Sequence, residues 1–206
     1  NNMNKTVLIT GGAGFIGSHL ADALIKKKYN VVIVDNFSKE KISNLKNIKK
    51  KIKFIKCNIG QNSRILKKIK FNLVFHLAAL TSVKESEIKP KKYFLNNYVY
   101  SKKLFKTLNL IHTEKVIYAA SSSCYGNTGN KIINENHKIR PISAYARSKL
   151  KTEIFLKKYL KRKKIGFISL RLFNVYGPRS SNDMYSGVIN KFIKNYLNKR
   201  KLEIYS

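Results

Sequence analysis

Three glycines near the start of the chain, Gly11, Gly14 and Gly17, constrain its fold more than any other feature of the sequence. They follow a short apolar run over residues 6–9 and open a helical pattern. In a strand–turn–helix unit, such glycines permit a tight turn, let the backbone approach a pyrophosphate and let helix and strand pack closely. The N–H groups at the helix N-terminus then favour phosphates. The spacing G-x-x-G-x-x-G therefore predicts a dinucleotide-binding turn in an α/β fold, with an ordinary glycine-rich turn as the alternative.

The rest of the chain alternates between strand-like apolar runs and helical patterns. The further strand candidates are residues 31–35, 52–57, 73–79, 115–120, 166–171 and 201–205. The helical patterns cover residues 93–112, 143–164 and 186–199, and residues 127–141 read as a long polar loop. Continuous apolar runs are typical of parallel strands buried on both faces. This order predicts a Rossmann-type doubly wound parallel sheet with right-handed crossovers.

Asp35 ends the second strand candidate, 18 residues after Gly17. An acid at about this distance accepts hydrogen bonds from an adenosine ribose and would repel a 2′-phosphate, which favours NAD over NADP. The alternative is an aspartate that only caps the next turn. Ala78 and Ala79 are small enough to let a dinucleotide approach the end of the fourth strand. His76, in the same strand, is predicted to be a satisfied strand residue and not a ligand.

Tyr145 and Lys149 are four residues apart and therefore share one helix face. A tyrosine has a pKa of about 10, and a nearby ammonium group lowers it by stabilising the phenolate. The pair can then accept a proton near neutral pH. Ser121 follows a strand, where its hydroxyl could bind the reacting oxygen; such positions face ligands in open α/β sheets. We predict that these three residues are catalytic.

Taken together, these motifs resemble the extended short-chain dehydrogenase/reductase family, in its nucleotide-sugar epimerase/dehydratase branch. The resemblance covers essentially the whole chain. It rests on residues 10–20, 35–36, 76–79, 97, 121–126, 145–149 and 171–179. The family implies a NAD-binding Rossmann domain over residues 1–171 and the beginning of a smaller C-terminal substrate-binding lobe over 172–206. Members of the family are longer, so we expect the chain to be a fragment.

The resemblance also implies roles for individual residues. The implied cofactor site consists of Gly11, Gly14, Phe15, Ile16 and Gly17 at the pyrophosphate, Asp35 and Asn36 at the adenosine ribose, Asn58 and Ile59 at adenine, Leu77, Ala78, Ala79 and Asn97 along the dinucleotide, and Tyr145, Lys149 and Phe173 at the nicotinamide end. The implied substrate site consists of Ser82, Val83, Ser122, Ser123, Asn174 and Arg179. Counting back from Tyr125 selects Ser121 as the catalytic hydroxyl, with Ser122 as the alternative. Asn58 replaces the usual aspartate, so we expect weaker adenine discrimination.

The reaction that the resemblance favours is epimerisation at C4 of a UDP-hexose or UDP-N-acetylhexosamine through a transient 4-keto sugar, with NAD recycled. Dehydratases of the family carry an Asp-Glu pair after the catalytic hydroxyl, whereas this chain has Ser122 and Ser123. A 4,6-dehydratase, a decarboxylase or a reductase remains an alternative. A catalytically inactive NAD-binding or nucleic-acid-associated fragment is another.

The net charge and the cysteines limit the kinds of partner and compartment that we expect for this protein. The net charge of +33 would by itself indicate a nucleic-acid binder, but the lysines are spread over nearly every helix and loop. We therefore expect no nucleic-acid partner, and from the family we expect a homodimer. Cys57 and Cys124 lie far apart in the sequence, without metal-ligand spacing, and are predicted to be reduced thiols. Without an apolar run of about 18 residues or a signal-peptide core, we expect a cytoplasmic protein that does not enter the membrane.

Overall fold

The computed structural model describes residues 5–37, 42–61, 63–180 and 188–201. Six strands form one parallel sheet in the order β3-β2-β1-β4-β5-β6. The strands are β1 (Thr6–Thr10), β2 (Asn30–Asp35), β3 (Ile52–Lys56), β4 (Leu73–His76), β5 (Lys115–Ser121) and β6 (Gly166–Leu172). The chain builds outward from β1 to β3 and then returns to place β4 on the other side of β1. This reversal opens a crevice at the carboxyl ends of the strands, where such sheets bind ligands.

Helices cover both faces of the sheet. The helices of the described residues are α1 (Phe15–Lys26), α2 (Val83–Ile88), α3 (Pro90–Tyr93), α4 (Ser101–Thr107), α5 (Ala144–Arg162) and α6 (Val188–Leu197). A π-helical segment, Phe94–Tyr100, joins α3 to α4 without a break. Short 3-10 turns cover Ile42–Leu45, Lys49–Lys51, Ser63–Lys68 and Ser122–Tyr125. The predicted Rossmann-type doubly wound sheet is confirmed.

Alternating side chains of the strands build two separate cores. Val7 and Ile9 of β1 pack with Leu24 of α1 on one face. Leu8, between them, faces the other way and belongs to a larger core that includes Leu104 of α4 and Leu156 of α5. Because the central strands bury apolar side chains on both faces, they need continuous apolar runs, as the sequence has. The two layers hold the carboxyl ends of the strands in fixed positions.

The helix predicted over residues 93–112 differs from the structure at both ends. The helical stretch begins at Pro90 and ends at Thr107, since Leu108 has an extended backbone with ψ 137°. Ile111, beyond the end of the helix, is 83% exposed, and Phe94 is 40% exposed. A π-helical turn holds more residues than an α-helical turn, so it rotates the buried face relative to an ideal helix. Apart from Lys201, the strand predicted over 201–205 lies outside the described residues.

Three further expectations concern what the fold contains. Cys57 and Cys124 are both buried free thiols. No helix in the described part of the chain is long and apolar enough to cross a membrane. Within the same ranges, no group of three or more His, Cys, Asp or Glu side chains is placed to hold a metal ion.

Candidate functional site

A cavity of about 580 Å³ opens at the carboxyl ends of the strands, beside the reversal of strand order. Its volume falls in the range of small-molecule and cofactor sites. The glycine turn after β1 forms one part of its wall, and the first turn of α5 forms another. The cavity therefore joins the two motifs that the sequence placed more than a hundred residues apart.

The glycine turn packs tightly against the neighbouring protein backbone. Gly11 has a positive φ of 71°, and a Cβ there would lie 2.8 Å from the backbone nitrogen of Ala78. A Cβ on Gly17 would overlap the carbonyl oxygen of Gly11. Gly14 is the N-cap of α1, whose first-turn N–H groups have no intrahelical acceptors. The turn thus presents donors and a positive dipole end to the cavity.

Asp35 lies at the end of β2, next to this turn. Its carboxylate accepts a hydrogen bond from the N–H of Ala13 at 3.0 Å and another from the N–H of Phe37 at 2.9 Å. The second bond is the turn cap that the sequence left as the alternative. The carboxylate also lines the cavity. Because each carboxylate oxygen accepts more than one hydrogen bond, capping the turn leaves capacity for a ribose hydroxyl.

The first turn of α5 is fixed by α2. Ser143 is the N-cap of α5. The N–H of Tyr145 donates to Ser86 Oγ at 3.1 Å, and the N–H of Ala144 donates to a carboxylate oxygen of Glu87 at 2.7 Å. These caps satisfy amides that the helix itself leaves free. They hold Tyr145 at the cavity wall.

Ser121, Tyr145 and Lys149 all line the cavity. Burial raises the pKa of Tyr145 above 10.0, while a hydrogen bond with Ser121 lowers it. Ser121 Oγ also lies 2.8 Å from Ser123 Oγ. Burial lowers the pKa of Lys149 from 10.5 to about 7, opposed by the charge of Glu153. The site therefore contains a tyrosine and a lysine whose protonation depends on their surroundings, as acid–base chemistry requires.

His76 lies behind this site, fully buried at the end of β4. Its Nε2 is 2.7 Å from Ser101 Oγ, and its Nδ1 is 2.7 Å from Thr10 Oγ1. The Ser101 hydroxyl donates to the carbonyl of Asn97 at 2.6 Å, so Nε2 donates to Ser101 and Nδ1 accepts from Thr10. Burial, and secondarily the charge of Lys149, lower the pKa of His76 to about 3. The prediction of a satisfied strand residue is confirmed.

Most predicted site residues line the cavity. Those at its wall are Gly11, Gly14, Phe15, Ile16, Gly17, Asp35, Asn36, Asn58, Ile59, Leu77, Ala78, Ala79, Val83, Ser121, Ser122, Ser123, Tyr145, Lys149, Phe173 and Asn174. Their individual roles stay predictions.

Three predicted residues lie elsewhere. Asn97 is buried behind the wall, where its side chain bonds the backbone of Leu80 in both directions. Ser82 accepts from the N–H of Glu85 and caps α2. Arg179, predicted to bind substrate, forms an ion pair with Asp22 of α1, and its role in binding stays a prediction. Each of these side chains has a partner within the protein.

Several lining residues were missed by the sequence analysis. They are Val34, Cys57, Leu80, Thr81, Asn96, Ala119, Ala120, Leu172, Val175, Ser180 and Asn190. The small pair Ala119-Ala120 at the end of β5 carries the same signal that selected Ala78-Ala79, and could have been found. The others have no distinguishing residue type or spacing.

Comparisons with known proteins agree with this geometry. The family model described as the NAD dependent epimerase/dehydratase family matches residues 7–206. A putative UDP-glucose 4-epimerase of Methanocaldococcus jannaschii is 34% identical over 195 residues, which cover 93% of this chain and 63% of the relative. A UDP-N-acetyl-alpha-D-glucosaminuronate decarboxylase of Bacillus cytotoxicus is also 34% identical, over 98% of this chain and 64% of the relative.

Solved structures give the same result. The UDP-N-acetylglucosamine 4-epimerase of Methanobrevibacter ruminantium, in complex with UDP-N-acetylmuramic acid, superposes with a TM-score of 0.89 at 40% identity, covering 98% of this chain and 66% of that one. The UDP-glucose 4-epimerase of Thermus thermophilus, in complex with NAD, gives 0.86 at 30% identity, covering 98% and 65%. The chain thus spans just under two thirds of the length of these relatives.

Proposed function

Because the chain belongs to the NAD-dependent epimerase/dehydratase family, we propose that it is part of a 4-epimerase that acts on a UDP-hexose or UDP-N-acetylhexosamine. The observation that carries the proposal is the meeting of Ser121, Tyr145 and Lys149 with the glycine turn in one cavity. The relatives with the printed name of 4-epimerase support the reaction. Dehydratases and decarboxylases among the relatives keep those reactions as alternatives.

The residues present fit NAD. The turn at Gly11 and Gly17 packs so tightly against the neighbouring backbone that no Cβ fits, and the first turn of α1 offers free amides to the pyrophosphate. Asp35 and Asn36, which line the cavity, would bind the ribose, and Asn58 and Ile59 would flank adenine. When bound, NAD would supply a hydride acceptor for C4 of the sugar and return the hydride later.

Residues of the chain itself would transfer the proton of the sugar 4-hydroxyl. The Tyr145 oxygen would take the proton from the sugar 4-hydroxyl and give it back, while the Ser121 hydroxyl holds the same sugar oxygen. Burial raises the pKa of Tyr145, so the phenolate needs positive charge nearby. Lys149, one helical turn further on, would provide that charge when it is protonated.

The cavity wall supports epimerisation over elimination of water. Elimination across C5 and C6 needs an additional acid and base near the sugar. Ser122 and Ser123 carry hydroxyls at the positions where dehydratases of the family have carboxyls. Among the described residues of the wall, Asp35 is the only acid, and it belongs to the predicted ribose end.

We further propose the division into a NAD-binding domain over residues 1–171 and the beginning of a substrate lobe over 172–206. A homodimer is proposed as well. We assign the interface to an apolar groove between the Pro90–Tyr100 stretch and α5, lined by Phe94, Leu95 and Val99 among others. Sedimentation of the intact protein at several concentrations tests the dimer.

Tyr145→Phe tests the proposed chemistry. Loss of a general acid–base group should lower turnover of the sugar nucleotide by about 10²–10⁴-fold, while NAD stays bound. Tyr159→Phe is the matched control, because it removes a tyrosine hydroxyl from the same helix. The Tyr159 hydroxyl donates to the carbonyl of Phe105 and lies outside the cavity. Full activity of Tyr145→Phe would remove this residue from the mechanism.

A further inference from the structure

Glu153 continues the helix face that carries the predicted catalytic pair. Tyr145, Lys149 and Glu153 are spaced four residues apart on α5, so their side chains follow one another along the helix. Glu153 is buried, which is unusual for a glutamate without a structural or functional reason. None of the roles assigned above uses it.

Arg171 of β6 holds the Glu153 carboxylate in place. Arg171 Nη2 lies 2.8 Å from one carboxylate oxygen and Nε lies 3.4 Å from the other. The Arg171 side chain is only 19% exposed, and the Glu153 side chain is only 11% exposed. Arg171 is itself anchored, since Nη1 donates to the Tyr125 hydroxyl at 2.9 Å and to the carbonyl of Glu135 at 3.3 Å. Two-point contact fixes both the position and the orientation of the carboxylate.

The buried ammonium group of Lys149 needs a negative charge nearby to stabilise it. The side chain is buried, with Nζ 4.4 Å from the centre of the Tyr118 ring. Lys149 forms no ion pair within the described ranges of the chain. The Tyr118 ring and the Glu153 charge therefore stabilise the ammonium, whereas burial favours the neutral amine.

We propose that Glu153, anchored by Arg171, is a positioning residue whose carboxylate stabilises the ammonium form of Lys149. The proposal rests on the proposed function only for what the ammonium does, which is to stabilise the Tyr145 phenolate. Glu153 touches neither sugar nor cofactor in this account and acts through Lys149.

The other groups around Lys149 are neutral near pH 7 or are paired elsewhere. His76 of β4 has a pKa of about 3, and burial raises the pKa values of Tyr118 and Tyr145. Burial also raises the pKa of the Cys124 thiol, which lies near the Glu153–Arg171 pair.

The acids of α2 face the other end of the helix. Glu87 binds the N–H of Ala144, and Glu85 pairs with Lys92. Glu153 and Arg171 are therefore the charges, among the described residues, whose change should move the pKa of Lys149.

The test measures Lys149 directly, by ¹³C NMR of the intact protein labelled at lysine Cε and titrated between pH 5 and 11. Lys149→Met identifies the Lys149 signal, which should titrate near pH 7 in the wild type. Glu153→Gln should lower this pKa by about one pH unit, because it removes the carboxylate and leaves Arg171 unbalanced. Arg171→Met should raise it. Glu114→Gln is the control, since it breaks an exposed ion pair of equal length with Lys5.

Glu153→Asp separates charge from shape. Asp keeps the charge on a shorter side chain, whereas Gln keeps the shape without the charge. The proposal predicts that the Lys149 pKa stays closer to the wild-type value in Glu153→Asp than in Glu153→Gln. The opposite order, or an unchanged pKa in Glu153→Gln and Arg171→Met, would overturn it. If one variant fails to fold, the other still gives a shift of defined sign.

A pH–rate profile on the same variants distinguishes this proposal from the proposed function. Turnover of a sugar nucleotide without any Lys149 shift would refute the role of Glu153 alone. Lys149 shifts as predicted, without turnover of any sugar nucleotide in the wild type, would refute the proposed reaction alone.

Discussion

Acid should destabilise this fold through His76, and the structure gives the size of the effect. The ring is fully buried, with Nε2 donating to Ser101 and Nδ1 accepting from Thr10. A proton added at Nδ1 would face the hydroxyl hydrogen of Thr10 and would carry an unsolvated charge. Burial, followed by the charge of Lys149, accounts for the lowered pKa of about 3.

The sign and magnitude follow from linkage. Because the folded pKa lies below the ordinary 6.5, the unfolded chain binds the proton more tightly. The contribution to stability is complete above pH 6.5 and is lost as the pH falls towards 3. The full loss is about 5 kcal/mol, and the part between pH 7 and pH 5 is about 2 kcal/mol. The buried ammonium group of Lys149 also destabilises the fold, but this effect changes mainly above pH 7, where it fades as the pH rises towards 10.5.

Urea unfolding at pH 7, 6 and 5 measures this contribution. His76→Gln should be less stable than the wild type at pH 7, because it disturbs two buried hydrogen bonds. Between pH 7 and pH 5 it should lose about 2 kcal/mol less than the wild type. His112→Gln, which changes an exposed histidine, controls for removal of an imidazole. An equal loss in His76→Gln and the wild type would refute the reasoning.

Three further predictions follow from the site. Asp35→Ala should weaken NAD binding by at least about tenfold, measured by calorimetry, through loss of a charged hydrogen-bond acceptor, and unchanged affinity would exclude the ribose role. Gly17→Ala should lower the free energy of unfolding by more than about 1 kcal/mol, since its Cβ would overlap the carbonyl oxygen of Gly11; a wild-type urea midpoint would contradict this. Lys149→Met should be more stable than the wild type at pH 7, by up to about 4 kcal/mol, because it removes a buried ammonium group. This gain should fade towards pH 10.5, as the stability of the wild type rises. A stability difference that stays constant with pH in urea titrations would refute the assigned pKa.

The sequence was sufficient where local spacing sets the structure. The glycine turn, Asp35 at the end of β2 and the Tyr145–Lys149 pair all depend on residues close together in the chain. Their approach across the sheet follows from the parallel topology, because carboxyl ends of parallel strands meet at one edge. The position of the cavity at this edge could therefore be predicted.

Long-range partners were beyond such reasoning. Arg179 is drawn to Asp22, and Arg171 to Glu153, by loop and strand geometry that no spacing in the sequence encodes. The helix after Pro90 ended earlier than its apolar pattern indicated, since Leu108 packs into the core in an extended conformation. Asn97 was selected by resemblance, yet its side chain serves the backbone of Leu80.

Proton NMR of UDP-N-acetylglucosamine and UDP-glucose, incubated with the full-length protein without added NAD, tests the central claim most directly. The account predicts new anomeric signals of the galacto configuration, which would establish epimerisation at C4 with retained and recycled cofactor. The relative rates would rank the two sugars. Unchanged spectra for both sugars, in a sample in which bound NAD is confirmed, would contradict the proposed reaction and leave the fold and the cofactor site intact.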